Sequence, residues 1–172
     1  MGETRTAKIE TGEAAHAPHR SSPLIVLPEW IDFNGHLNLA YYHVLFDRGA
    51  DEHFPTLGLG AEYARARGMT TYAAENHVCY VREVHEGDTV FVTGRIVDYD
   101  EKRLHVWQEL YHADGWLSAT LEGLVLSIDM SGPKVAPWPV DILARIEPLA
   151  KRDMALARPD RLGRRIAIGR KG

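Results

Sequence analysis

The chain has 172 residues, of which 45% are hydrophobic, and a formal net charge of -4 at pH 7. This composition predicts one soluble domain with a proper core, and the mild negative charge gives no reason to expect nucleic acid as the main partner. No apolar run approaches the ~20 residues of a membrane span, and no secretory signal pattern opens the chain. The single cysteine, Cys79, excludes an internal disulfide and fits a reducing compartment, so we expect a cytoplasmic protein without a membrane partner.

Both ends of the chain have the composition of tails. Residues 1–20 contain small, charged and proline residues with little apolar mass, which predicts a flexible N-terminal tail. Residues 153–172 are rich in arginine and form either a solvated basic tail or an arm that binds phosphate. The folded domain is therefore expected over 21–152.

Between the tails, the apolar spacing predicts a strand, a long helix, four strands and a C-terminal helix. Residues 23–28 form a short apolar strand between prolines, and apolar residues from Leu37 to Leu45 recur at helical spacing. From about Met69 onward, strand patterns alternate with turn residues. Three hairpin-like turns predict an antiparallel meander with the helix buried against one face, which is an α+β domain.

The start of the first helix holds more polar residues than a cap requires. Asp32, Asn34, His36 and Asn38 all fall within the stretch EWIDFNGHLNLAYYHVLFD. One or two such residues are enough to cap a helix N-terminus. Asp32 or Asn34 could be the cap, which leaves the remaining polar groups for chemistry.

This stretch resembles the signature Asp-x-x-Gly-His-x-Asn-x-x-x-Tyr of hotdog-fold acyl-CoA thioesterases, in the branch related to 4-hydroxybenzoyl-CoA thioesterase. The resemblance covers about residues 22–152 and implies a hotdog fold, a curled antiparallel sheet wrapped around a long central helix. The matching residues are Asp32, Gly35, His36, Asn38 and Tyr42.

A narrower likeness is to the thioesterases of carnitine breakdown that hydrolyse betainyl-CoA. It is carried by EWIDFNGHLN, AENHVCYVREVHEGD and GRRIAI. Two positions depart from the wider family, because Leu39 replaces a second Asn and Asp47 replaces a Glu. The likeness implies hydrolysis of a short polar or cationic acyl-CoA, betainyl-CoA first, with CoA as part of the substrate and no separate cofactor.

Thioester hydrolysis suggests a role for each motif residue. A helix N-terminus supplies free N–H groups and partial positive charge, which predicts an oxyanion hole near Gly35 and His36. With the resemblance, Asp32 is expected to be the catalytic carboxylate, as nucleophile or as general base. Asn38 and Glu75 complete the expected catalytic set, although the sequence alone, without the resemblance, favours a capping role for Asp32.

The strand after the helix carries a second polar group of residues. Glu75, His77 and Cys79 share one face because alternate strand residues point the same way. They line the substrate cleft, of this chain or of a neighbouring subunit, or they form a solvent-facing stripe. Cys79 lacks a catalytic-cysteine motif, and Glu122, among apolar residues, is expected to pair with an arginine.

Further residues are candidates for binding the substrate. Trp30 and Tyr42 lie beside the motif and offer ring faces to a quaternary ammonium group. Arg82, Arg103 and the C-terminal arginines are candidates for the phosphates of CoA. Asn34 and His77 complete the substrate-binding set. No metal is expected, since the histidines show no H-x-x-x-H pair and no tight His/Cys cluster.

Two other functions are compatible with the same fold. One is a non-catalytic acyl-CoA binding or sensing domain, and the other is a hydratase acting on enoyl-CoA. The presence of Asp32 before a Gly-His helix start favours catalysis, and the Asp/His pairing that hydration needs is not found. We also expect a homodimer or homotetramer, because a meander leaves edge strands unpaired.

Overall fold

The fold is an open antiparallel sheet with helices packed against one face. The structure is a computed structural model that describes residues 18–168. Short 3-10 turns precede and follow the first long helix. The elements are β1 (His19–Arg20), β2 (Leu24–Ile25), α1 (Leu39–His53), α2 (Ala61–Arg67), β3 (Met69–Tyr80), β4 (Thr89–Tyr99), β5 (Arg103–His112), β6 (Leu117–Asp129), β7 (Lys134–Val135) and α3 (Val140–Met154).

The strand order differs from the predicted meander at one point. The sheet runs β1-β4-β5-β6-β3, with β2 added to β4 and β7 added to β6. Strands β4, β5 and β6 are consecutive antiparallel neighbours, as predicted. The prediction was wrong for β3, which pairs with β6 instead of β4. Residues 81–88 therefore cross between the two edges of the sheet, and the fully buried Val84 anchors this crossing in the core.

Two apolar clusters lie on the same face of the sheet. In the first, α1 buries Leu45 and Phe46 against β4, β5 and β6. In the second, α3 buries Ile142 and Ile146 against the other end of the same strands, together with α2. The core-facing residues of β5 are the ones that the alternation predicts: Leu104, Val106, Gln108 and Leu110.

Helix α1 approaches the sheet closely at one glycine. A Cβ atom added to Gly49 would lie 2.6 Å from Cβ of Val92, which is far inside van der Waals contact. Only a residue without a side chain fits here. The contact sets how deeply α1 sits on the sheet and hence where its N-terminal loop is held.

The predicted tails are shorter than the sequence suggests. Residues 1–17 lie outside the described part of the chain, but His19–Arg20, assigned to the N-terminal tail, form a strand paired with β4. At the other end α3 continues to Met154, and Asp153 is only 1% exposed. No helix in 18–168 has the length and apolarity needed to cross a bilayer.

Candidate active site

The loop before α1 is a closed turn that presents Asp32. Ile31 and Leu37 form an isolated antiparallel bridge at its base. Inside the loop, the Asp32 N–H donates to the His36 carbonyl at 2.9 Å, and the Gly35 N–H donates to the Asp32 carbonyl at 3.0 Å. Gly35 has φ of +81°, a left-handed conformation that glycine adopts without strain. The backbone therefore holds Asp32 in place independently of the helix.

The carboxylate of Asp32 is oriented but keeps one oxygen unengaged. Its Oδ1 accepts a hydrogen bond from the Asn34 N–H at 2.8 Å. The side chain is half-buried, and within 18–168 it forms no salt bridge with a basic residue. A carboxylate in this state can take a proton from water or attack a carbonyl carbon.

Asn38, and neither Asp32 nor Asn34, caps helix α1. Its side-chain oxygen accepts the Ala40 N–H at 3.0 Å, and its extended backbone conformation is that of an N-terminal cap. The two capping candidates from the sequence were therefore wrong. The helix begins at Leu39, two residues after the first residue of its apolar stripe.

Two N–H groups of residues 35–41, those of His36 and Leu39, form no hydrogen bond with a described residue, and the second lies at the start of α1. The Gly35 N–H is occupied by the Asp32 carbonyl, while the N–H groups of Ala40 and Tyr41 both donate to Asn38. The Leu39 N–H forms no hydrogen bond with a described residue, and the Leu39 side chain is 65% exposed. It lies at the positive end of the α1 dipole, where developing negative charge is stabilised.

Glu75 and His77 are on the opposite face of the sheet from α1. The β3 register pairs Glu75 with Leu124 and His77 with Glu122, and all four side chains face away from the helices. Cys79 shares this face, as its spacing predicts. One chain therefore does not bring Glu75 or His77 to Asp32, and their catalytic and binding roles stay predictions. Both residues line an outer-face cavity of about 500 Å³.

Comparison with known proteins identifies the family. A model of the thioesterase-like superfamily matches residues 26–146, most of the chain. The chain belongs to this superfamily. Its geometry agrees, since a hotdog sheet carries a helix whose N-terminal loop presents a carboxylate. The protein is accordingly a thioester hydrolase of the acyl-CoA thioesterase type.

Individual relatives support the same assignment. A betainyl-CoA thioesterase of Pseudomonas aeruginosa is 37% identical over 83% of this chain and 91% of its own length. An L-carnitine dehydrogenase/betainyl-CoA thioesterase of Rhizobium meliloti is 30% identical over 88% of this chain but only 31% of its own length. A Staphylococcus aureus protein solved in complex with CoA has a TM-score of 0.80 and 30% identity, and covers 86% of this chain and 94% of its own.

Glu122 has partners other than the expected arginine. Its Oε1 lies 2.8 Å from Nε2 of His105, and its Oε2 accepts the Gly163 N–H at 2.7 Å. The expectation of an arginine partner was wrong, because the C-terminal segment itself supplies the second donor. This contact fixes that segment of the thioesterase to the outer face of the sheet.

The two aromatic residues beside the motif are core residues. Trp30 is 5% exposed and stacks on Tyr41, with the Arg48 guanidinium 5.0 Å from its ring. Tyr42 is 4% exposed and packs edge-on against Tyr80, and burial raises the pKa of its phenol. Within the described residues, neither ring offers an open face to a ligand.

The arginine candidates differ in the charge that surrounds them. Arg103 donates to Asp100 at 2.7 Å, so its charge is compensated. Arg82 lies 4.0 Å above the Trp116 ring and forms no salt bridge within 18–168. It belongs to the segment that bonds to the motif loop, where the Leu37 N–H donates to the Val84 carbonyl. Of the two, Arg82 is better placed for a CoA phosphate.

A cleft between α1, α2 and β3 was not predicted from the sequence. Its volume is about 820 Å³, and His43, Asp47 and Asp51 of α1 line it together with Asn76 of β3. Burial, and secondly the charge of Asp51, raise the pKa of the Asp47 carboxyl. The i, i+4 spacing of the two aspartates on one helix face is the signal that could have revealed it.

Proposed function

We propose that this enzyme hydrolyses betainyl-CoA to betaine and CoA. The supporting observation in the structure is the Asp32 carboxylate, which is half-buried beside the α1 N-terminus and has no basic partner within 18–168. An uncompensated carboxylate at the reacting position favours an acyl group that brings its own positive charge. The similarity to a betainyl-CoA thioesterase over nearly that protein's whole length supports the same substrate.

The geometry of the acyl group makes Asp32 its natural counter-charge. In betaine the ammonium nitrogen and the carbonyl carbon are separated by one carbon, which places them about 2.5 Å apart. Any carboxylate that reaches the carbonyl carbon is therefore close to the cation as well. Because the rings of Trp30 and Tyr42 are buried, cation recognition relies on this charge and not on an aromatic cage.

The proposed reaction uses two groups of the motif loop. The Leu39 N–H donates to the thioester oxygen and stabilises the oxyanion as the carbonyl carbon becomes tetrahedral. Asp32 takes a proton from the attacking water, whose oxygen forms the new C–O bond. Collapse of the intermediate breaks the C–S bond, and the proton leaves with the CoA thiolate as a thiol. Arg82 holds a CoA phosphate outside the reacting centre.

The test compares betainyl-CoA with a neutral substrate of the same shape. In 3,3-dimethylbutyryl-CoA a carbon replaces the quaternary nitrogen, and palmitoyl-CoA provides a long-chain comparison. Each kcat/KM is divided by the rate at which hydroxide hydrolyses the same compound without enzyme. This correction is needed because the ammonium group by itself makes the carbonyl carbon more reactive. A carboxylate–ammonium attraction of about 1–2 kcal/mol predicts a corrected preference for betainyl-CoA of about 5- to 30-fold.

Two outcomes would contradict the proposal. Equal or faster corrected hydrolysis of the neutral compound would show that charge does not select the acyl group. Faster hydrolysis of palmitoyl-CoA would assign the enzyme to long chains. In both cases the thioesterase activity itself would stand.

A further inference from the structure

Three ligand-type side chains converge beside the motif loop without contributing to the reaction described above. One ligand atom each from His36, Glu83 and His85 lies within 4.8 Å of the others. His36 Nε2 is 3.9 Å from Glu83 Oε1, and the His36 and His85 rings meet edge to face at 5.3 Å. None of the three side chains forms a hydrogen bond with a described residue.

The backbone brings these residues together through two tight turns. The motif loop supports His36, whose carbonyl accepts the Asp32 N–H. A second turn supports His85, whose N–H donates to Asp88 Oδ2 at 2.8 Å and whose carbonyl accepts the Asp88 N–H at 3.2 Å. The Leu37 N–H to Val84 carbonyl bond of 2.9 Å joins the two segments directly. The convergence is thus a property of the fold.

We propose that His36, Glu83 and His85 bind a divalent transition-metal ion of the zinc class. Two imidazoles and one carboxylate suit zinc, cobalt or nickel and leave a fourth position for water. Ligand atoms around a tetrahedral zinc ion are about 3.4 Å apart. The three side chains are 39%, 60% and 55% exposed, so small rotations can close the observed spacing.

Asp88 supplies the outer partner that a metal-binding histidine requires. Its Oδ2 lies 3.9 Å from Nδ1 of His85, which leaves Nε2 of that ring for the metal. A carboxylate behind a ligating imidazole fixes its orientation and raises its basicity. The backbone N–H of His85 already holds this carboxylate in position.

A metal here would tie the catalytic loop to the crossing segment. His36 belongs to the same closed loop as Asp32, while Glu83 and His85 follow Arg82 in the crossing. Binding would therefore reduce the freedom of the loop that carries the reactive carboxylate. The site depends on neither the acyl group nor the proposed substrate.

The test measures metal binding by the full-length protein after chelation and desalting. Zinc is titrated calorimetrically, and cobalt is followed through its visible absorption as a report of coordination. We expect one zinc equivalent with micromolar or tighter affinity, a higher melting temperature and no competition from equimolar Mg²⁺. His85→Ala should weaken zinc binding by at least the roughly 10- to 100-fold that is typical of losing an outer partner.

A matched variant separates this site from the other histidines. His105→Ala removes an imidazole that is bound to Glu122 on the outer face, and it should keep the zinc affinity of the unmodified protein. Glu83→Gln provides a second test if His85→Ala folds poorly. Absence of saturable binding, or equal loss in the His105 and His85 variants, would overturn the proposal. So would zinc binding that Glu83→Gln leaves unchanged.

Discussion

At the scale of single residues, Asp32 is the group whose loss should affect the reaction and not the fold. Asp32→Asn keeps an oxygen that can accept the Asn34 N–H, so the loop should survive. It removes the negative charge, and kcat should fall at least about 100-fold. Thiol release measures the rate, and a melting curve checks the fold. Asp114→Asn, at an exposed turn, is the matched control.

A folded Asp32→Asn enzyme with near-normal kcat would remove Asp32 from the reaction. If the variant is inactive, a single turnover in ¹⁸O-labelled water separates two routes. A general base leaves the label in the acid product. A carboxylate nucleophile, whose anhydride is opened at the enzyme carbonyl, places the label first in the Asp32 side chain.

The lowered pKa of His53 predicts that the free energy of unfolding decreases in mild acid. His53 is 4% exposed and stacks on His19 at 5.0 Å; burial, then the charges of His19 and Arg152, lower its pKa to about 4. The unfolded chain binds this proton near pH 6.5, so the free energy of unfolding is unaffected above that pH. It should fall by up to about 3 kcal/mol as the pH drops from 6.5 to 4.

Urea unfolding at several pH values measures this effect. His53→Phe retains a ring but cannot titrate, so its stability should depend less steeply on pH between 6.5 and 4. Burial also lowers the pKa of His19, and this part of the slope should remain in the variant. Identical slopes for the variant and the unmodified protein would show that His53 is not the titrating group.

At the scale of elements, a buried carboxylate of α3 holds an irregular point in β4. The register of β4 shifts between Ile96 and Asp98, and the Ile96 N–H donates to Asp153 Oδ2 at 3.0 Å. Arg152 bonds the other oxygen of the same carboxylate at 2.6 Å. Asp153→Ala would leave a buried N–H without an acceptor, which should cost about 2–3 kcal/mol of unfolding free energy.

Chemical denaturation of three variants and the unmodified protein checks this role. Asp153→Asn keeps an acceptor for the Ile96 N–H and should lose less stability than Asp153→Ala. Asp160→Ala changes an exposed aspartate of the C-terminal segment and should have little effect. Equal stability of the alanine variant and the unmodified protein would contradict the role of Asp153 at β4.

Local patterns predicted most elements but not the partner of β3. The alternation of β5 is a property of consecutive residues and agrees with the structure. The helical spacing of α1 is confirmed too, but its buried face is rotated from the predicted stripe, since Ala40 of that stripe is exposed while Tyr42 and Phe46 are buried. Helix α2 was missed because seven residues give too short a period to detect. The turn residues Gly87-Asp88 show that the chain turns but not which strand it joins, so the sequence predicts a hairpin where the chain crosses to the other edge of the sheet.

At the scale of the whole molecule, the free edge of β3 predicts self-association. Within 18–168 this strand pairs only with β6, and its Tyr72 and Tyr80 are 45% and 51% exposed. An edge of twelve residues is a ready partner for a second copy. Sedimentation should show a dimer or tetramer of the 19.3 kDa chain at micromolar concentration.

A charge at that edge should weaken the assembly. Ala74→Lys places an ammonium group at the exposed irregular point of β3, while Ala144→Lys adds the same charge to the exposed surface of α3. Only the first should shift the sedimentation profile toward the monomer. A 19.3 kDa particle alone in the unmodified protein would contradict self-association.

The site was predictable only where it is local in sequence. The Asp32 motif lies within a few residues, so its chemistry could be proposed before the structure. The metal-ligand cluster and the α1–α2 cleft each join segments that are far apart in the chain. The cluster depends on the crossing at 81–88, and the cleft depends on the position of β3. The sequence pattern gives the face that Glu75 and His77 share but not which side of the sheet it is, so their place in a site, of this chain or of a neighbouring subunit, stays a prediction.

Asn38 caps α1 while Asp32 lies outside the helix, and this separation has an evolutionary consequence. Asn38 satisfies the helix start and Asp32 lies in a self-contained loop. Under the role proposed for Asp32, selection for a stable domain would act on the first residue and selection for turnover on the second. A gene duplicate released from turnover could lose the aspartate while its product stayed folded and still held CoA. Under that proposal, one substitution would separate a hydrolase from an acyl-CoA receptor on this scaffold.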